Sequence, residues 1–177
     1  RLDRTARARL TNTLQAALPR HAPPDSLASL ITSPGTLPPR QAARNQRIRL
    51  GLKTISSGQI SAGVRLLRGC GEGLTPAGDD CLCGLMLAAR LLRRPALARS
   101  ILPHALGGNP VSNAFLKLSA EGRVNIAVQR LLQAPSPARV QAVCAFGHSS
   151  GADLLCGLLW GLNPFPEPLP PPLNPEP

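Results

Sequence analysis

Gly71-Glu72-Gly73-Leu74-Thr75-Pro76-Ala77-Gly78-Asp79-Asp80-Cys81-Leu82-Cys83-Gly84 lies between two apolar segments with helical spacing. Its glycines let backbone N–H groups come close to a ligand, and a helix starting directly after them aims its positive end at the same point. Asp79 and Asp80 add hard oxygen ligands or proton acceptors there. The second half of the stretch returns at residues 150–158: Gly78 matches Gly151, Asp80 matches Asp153, Leu82 matches Leu155, Cys83 matches Cys156 and Gly84 matches Gly157. Each copy has a small-residue loop, an aspartate in the first helical turn and a glycine one turn on, which permits close helix–helix approach. The repeat predicts two helices crossing at Gly84 and Gly157, with Asp80 and Asp153 brought toward one place.

Four of the nine acidic residues (Glu72, Asp79, Asp80, Asp153) fall in these two loops. Capping offers a purely structural account: Thr75, Ser149 or Ser150 would satisfy helix N–H groups, and the aspartates would complement helix dipoles. The match in five positions favours a site. The candidate catalytic residues are Asp80, Asp153 and His148, the only histidine in either loop, which reads equally as a general acid/base or as a loop residue capping a carbonyl. The candidate substrate-binding residues are Gly71, Gly73, Thr75, Gly78, Ser149, Ser150 and Gly151. A Walker-type phosphate loop is excluded, because no Lys-Ser/Thr follows the glycines.

The composition extends the helical reading to the whole chain. Its 177 residues are 43% hydrophobic, mostly Leu and Ala, with 2% aromatics and no Tyr; good helix formers dominate and strand formers are scarce. The length suits one domain with a real core. The net charge of +11 comes from 20 basic and 9 acidic residues. The arginines are spread along several helices and there are few aromatics to stack on bases, which argues against nucleic acid as partner. A positive field that attracts a small anionic substrate or an acidic partner subunit fits better.

Cys81 and Cys83 form CxC, while Cys70, Cys144 and Cys156 stand apart and His21, His104 and His148 are scattered. No zinc pattern results, and the cysteines read as buried small residues in a reducing compartment. No signal peptide and no apolar run long enough to span a bilayer occurs, so a cytoplasmic protein with no membrane partner is expected. The chain begins at Arg1 rather than Met, as a fragment or a processed form would.

Leu2, Ala6, Leu10, Leu14 and Leu18 form one helical stripe that Pro19 is expected to end. A short helix capped by Asp25 or Ser26 is expected at 26–32. Further helices are expected at 40–55, 59–68, 79–93, 95–106, 110–120, 123–132, 137–146 and 152–162. Arg40, Arg44, Arg47 and Lys53 read as largely solvated. From residue 163 onward, 8 of 15 residues are proline, which predicts an extended appendage at 163–177. Residues 1–162 are then one all-α domain of about seven to nine helices around the two glycine-rich loops.

At these residues the chain resembles a known family. Residues 71–84 resemble the GxGLTPSGDDxLxG signature of the AllH family, and residues 147–157 resemble its GxxSGxDxLxG signature. Residues 112–122 are similar to its SxxxLxxAxxG helix. The resemblance covers about residues 55–162. Gly108-Asn109-Pro110 replaces the threonines usual before that helix, Cys81 and Cys83 stand at positions usually larger or smaller, and family members carry an additional N-terminal region. The family was long catalogued as a domain of unknown function, at times labelled a carboxylase, and includes a subunit of oxamate carbamoyltransferase in anaerobic allantoin degradation.

The resemblance implies a complex with FdrA-type and AllG-type partner subunits that converts carbamoylated oxamate and phosphate to oxamate and carbamoyl phosphate. On such substrates, backbone N–H groups of residues 71–78 and 149–151 would hold phosphate or carboxylate. Asp79, Asp80 and Asp153 would hold a Mg²⁺ bridging to those oxygens, or accept hydrogen bonds from a carbamoyl NH₂. The competing expectation is a non-catalytic ligand-binding or assembly subunit of a larger enzyme.

Overall fold

The computed structural model describes residues 2–31 and 36–163. The proline-rich tail expected from residue 163 therefore lies outside the described residues apart from Asn163. Every regular element among the described residues is helical: α1 Arg4–His21, a 3-10 turn Leu27–Leu30, α2 Pro39–Ser56, α3 Ile60–Leu67, α4 Ala77–Leu91, α5 Pro95–Ala105, α6 Pro110–Glu121, α7 Ile126–Gln133, α8 Pro137–Cys144 and α9 Ser150–Leu162. None of these helices is long and apolar enough to cross a membrane.

Local chemistry sets the helix ends. Pro39, Pro95, Pro110 and Pro137 each open a helix, where the missing N–H is no loss and the fixed φ is already helical. Asp3, Asn109, Asn125 and Ser136 cap α1, α6, α7 and α8 by accepting first-turn N–H groups. Gly122 closes α6 at φ 83°, a left-handed conformation that glycine adopts without strain. The stop expected at Pro19 does not occur, because α1 runs on to His21. Pro19 sits in the last turn, where its ring forfeits a single hydrogen bond. The ladder resumes at once with the Ala22 N–H on the Leu18 carbonyl (2.9 Å), and buried Ala17 and Leu18 hold the turn against the core. The short helix expected at 26–32 is the 3-10 turn, with Ser26 as its cap.

The core is built on α4 and α9. Residues 77–89 of α4 are all buried, and α9 is buried along nearly its whole length, as apolar residues on every face require. The two helices form the most extensive helix pair in the chain and cross where the repeat predicts. A Cβ at Gly84 would overlap the Leu154 carbonyl, and one at Gly157 would overlap the Cys81 carbonyl. Around this pair, α1 packs on α8 and α9, α5 and α6 pack on α4, and α2 pairs with α3. The crossing therefore fixes where the two glycine-rich loops meet.

Candidate functional site

The first loop turns on glycines in left-handed backbone: Gly69, Gly71 and Gly73 have φ of 64°, 125° and 95°. At Gly71 a Cβ would also stand 2.7 Å from the Ala77 nitrogen, so the turn back into α4 excludes a side chain. The second loop leads into α9 through Gly147, His148 and Ser149. Gly78 and Gly151 lie against the carbonyls of Leu67 and Val143 at the ends of α3 and α8. The starts of α4 and α9 are thus built alike.

The loops touch through hydroxyls. Thr75 Oγ1 lies 2.8 Å from Ser150 Oγ and donates to Asp80 Oδ2 at 3.0 Å. Ser149 donates to Asp153 Oδ2 at 2.8 Å. The capping account of these hydroxyls fails: neither α4 nor α9 has a side-chain cap bond, and Thr75 and Ser149 donate to carboxylates instead of accepting from helix N–H groups. The Asp153 charge adds to the rise of the Asp80 carboxyl.

The three aspartates differ sharply in surroundings. Asp79 is 4% exposed and accepts the Gly69 N–H at 2.8 Å, which ties down the first loop. Asp153 is fully buried and accepts the Leu27 N–H on Oδ1 at 2.7 Å. Asp80, 6% exposed, faces a cavity of about 270 Å³. Burial pushes the Asp80 carboxyl up to about 7, against the nearby Ser150 and Thr75 hydroxyls, which favour its ionised form. Burial raises Asp153 to about 6, opposed by the Leu27 N–H, the Ser149 hydroxyl and Arg44.

Among the described residues no group of three His, Cys, Asp or Glu side chains comes together that could hold a metal ion. Asp79 and Asp153 give oxygens to the backbone N–H groups of Gly69 and Leu27. The five cysteines are free and buried, and burial raises all five thiols.

In front of the loops lies an open cleft of about 1250 Å³. Gly71, Gly73, Thr75, Ser149 and Ser150 line it; Gly78 and Gly151 lie deeper, in helix contacts. Among the described residues no acceptor takes the N–H groups of residues 71–75 or 147–150. His148 stands on the wall with its side chain 82% exposed and its Nε2 2.8 Å from Asp25 Oδ2. Arg40, Arg44 and Arg47 line the same cleft. These three arginines, read as largely solvated, are cleft-lining residues that the sequence reading did not place at the site. Their i, i+4, i+7 spacing is the available signal, since it puts them on one helical face. Arg47 is fixed by its Nε donating to the Leu66 carbonyl at 2.8 Å, and Arg44 bonds Asn45. Guanidinium groups and unpaired backbone N–H groups in one cleft are the donor types that suit a small oxyanion.

No curated protein and no solved structure gives a match to the chain. Among protein families, residues 67–162 match the one described as oxamate carbamoyltransferase subunit AllH. That span runs from the end of α3 through α9 and contains both loops. It exceeds half of the sequence, and the chain belongs to the AllH family.

Proposed function

We propose that this chain is the oxyanion-holding subunit of a carbamoyltransferase of the oxamate carbamoyltransferase type, working in nitrogen recovery from allantoin in the cytoplasm. The observation that carries the reading is that Arg40, Arg44 and Arg47 line one cleft together with residues 71–75 and 149–150. Phosphate, or the carboxylate of oxamate, would lie there between guanidinium and backbone N–H donors. In the phosphate-consuming direction, a phosphate oxygen bonds to the carbamoyl carbon and the bond from that carbon to the oxamate nitrogen breaks. The departing nitrogen takes a proton, and His148, held by Asp25 on the cleft wall, is placed to deliver it.

The match to a subunit family implies partner subunits, and FdrA-type and AllG-type chains are the partners we propose. The cleft is wide for one small anion, as small-molecule pockets usually enclose about 300–1000 Å³. Large exposed apolar side chains, Leu74, Phe115 and Phe146, also line it. These favour a second reading, in which the chain binds the anion and docks on the partners while they supply the chemistry.

Phosphate-dependent turnover of carbamoylated oxamate by the reassembled subunits tests both. Arg40→Gln with Arg47→Gln is expected to raise the phosphate KM by at least about tenfold, as for loss of charge-assisted hydrogen bonds. An unchanged KM would overturn the anion site. Loss of kcat in His148→Gln supports a catalytic role; retained kcat favours the assembly reading.

A further inference from the structure

The two halves of the α4–α9 pair are alike enough to be compared group by group. Gly84 packs on the backbone of Leu154 and Leu158, and Gly157 packs on the backbone of Cys81. Since Cys81 and Leu154 are matching positions in the repeat, each helix offers the other the same surface, the mark of an approximate two-fold relation. Both helices follow an eight-residue helix, α3 or α8, and both carry an aspartate at the matching place. Corresponding carboxylates in corresponding sites have corresponding hydrogen-bonding needs.

Those needs are met in one half only. Asp153 receives a hydroxyl from Ser149 and a backbone N–H from Leu27. The 3-10 turn carries that N–H to it. Asp80 receives one hydroxyl, that of Thr75, which itself accepts from Ser150, and among the described residues no backbone N–H donates to it. Beside Asp80 there is instead the cavity of about 270 Å³, walled by α6, α7, α8 and the start of α9. A carboxylate more than nine-tenths buried and facing a cavity, with fewer donors than its counterpart, points to a donor that arrives with a ligand.

We propose that this cavity binds a small neutral primary amide, whose N–H donates to Asp80 as the Leu27 N–H donates to Asp153. The lining selects the class. Phe115, Leu118, Val128, Val143 and Phe146 make the walls apolar, so a full cation would lose more hydration than one carboxylate returns. An amide needs an acceptor for its N–H and a donor for its carbonyl, and both are present. Asp80 supplies the first, and the Ser119 hydroxyl or the Arg123 guanidinium on the same lining supplies the second. Thr75, Ser150, Phe115 and Phe146 line both this cavity and the arginine cleft. An amide held here therefore lies beside the proposed anion, separated by the Thr75–Ser150 pair. The assignment does not depend on the anion reading, because none of the three cleft arginines lines the cavity.

The test is a titration of the full chain followed by protein-detected NMR, with acetamide, N,N-dimethylacetamide and acetate as separate probes. Saturable acetamide binding is expected, with affinity at least about tenfold weaker for the other two probes, which lack the N–H or add a charge. The same loss is expected in Asp80→Ala and in Ser119→Leu. The second variant fills the cavity from α6 and leaves Asp80 in place, so it decides the matter if the first does not fold. Absence of saturable acetamide binding, equal binding of N,N-dimethylacetamide, or unchanged binding in Ser119→Leu would each overturn the assignment. A parallel phosphate titration separates the two readings: phosphate binding without acetamide binding defeats the amide site alone, and the reverse defeats the anion cleft alone.

Discussion

The hydroxyls of Thr75 and Ser150, 75 positions apart in sequence, lie 2.8 Å from each other and join the two glycine-rich loops directly above Asp80. Because Thr75 donates to the carboxylate, Ser150 is the donor in the bond between the hydroxyls. The chain of donors therefore runs from the second loop through the first into a buried acid. Thr75→Val keeps the shape and removes both bonds. It is expected to lower stability by about 1–3 kcal/mol, the range for leaving a buried acceptor short of a donor. Urea denaturation of the full chain reads this; a midpoint equal to wild type would mean that the loops are held together by backbone packing alone.

Gly84 and Gly157 are positions where the fold tolerates no side chain. Both Cβ positions are already occupied by backbone of the opposite helix, and backbone cannot swing aside as a side-chain tip can. Gly84→Ala or Gly157→Ala should force α4 and α9 apart and destabilise by about 3 kcal/mol or more, the upper part of the range for overpacking. Gly108→Ala is the comparison, since a Cβ there meets nothing within 4 Å, and it should be near neutral. Circular dichroism melts of the three variants give the ranking. Similar melting of Gly84→Ala and wild type would contradict the close crossing.

The crossing was legible because close helix approach demands glycine at a fixed place relative to the helix start, and the sequence shows that pattern twice. The helices were legible for similar local reasons, proline at first positions and Asn, Asp or Ser at caps. What the sequence hid was the different fate of Asp80 and Asp153. Nothing near Asp153 in sequence announces that Leu27, 126 positions away, brings an N–H to it. Pro19 misled because its local rule is sound while its place in a last turn, pinned by buried Leu18, is a tertiary fact. Arg40 and Arg47 are exposed, as their helical face suggests, but arginines on such a face look the same whether they front open solvent or line a cleft.

The raised carboxyls give stability a definite pH dependence. Asp80 goes from 3.8 to about 7 on folding and Asp153 from 3.8 to about 6. Between about pH 4 and pH 7 the folded chain thus binds more protons than the unfolded chain. The contribution is fully present below the unfolded value and is lost as pH rises through the folded one. Asp80→Asn removes the ionisation and still accepts from Thr75 through its amide oxygen. It should melt several degrees above wild type at pH 8, on the order of 2–4 kcal/mol, with the difference closing by pH 4. Coincident melting at pH 8 would show that Asp80 is ionised in the fold without penalty.

The same titration has the opposite sign for ligand. An amide N–H donates to an ionised carboxylate better than to a protonated one, by the usual gain of a charge-assisted bond. Acetamide affinity should therefore rise as pH goes from about 6 to 8, across the Asp80 value, while wild-type stability falls over the same interval. Sulfate, a probe whose own charge is constant over this range, should not follow that curve in the arginine cleft, because guanidinium groups also stay charged throughout. Its affinity should instead drop steeply with added salt, since Arg40 and Arg47 are exposed and exposed charges are screened. Isothermal titration of each probe at pH 6 and 8, at low and high salt, separates these dependences. An acetamide affinity that tracks salt and ignores pH would place the amide in the cleft with the arginines rather than against Asp80.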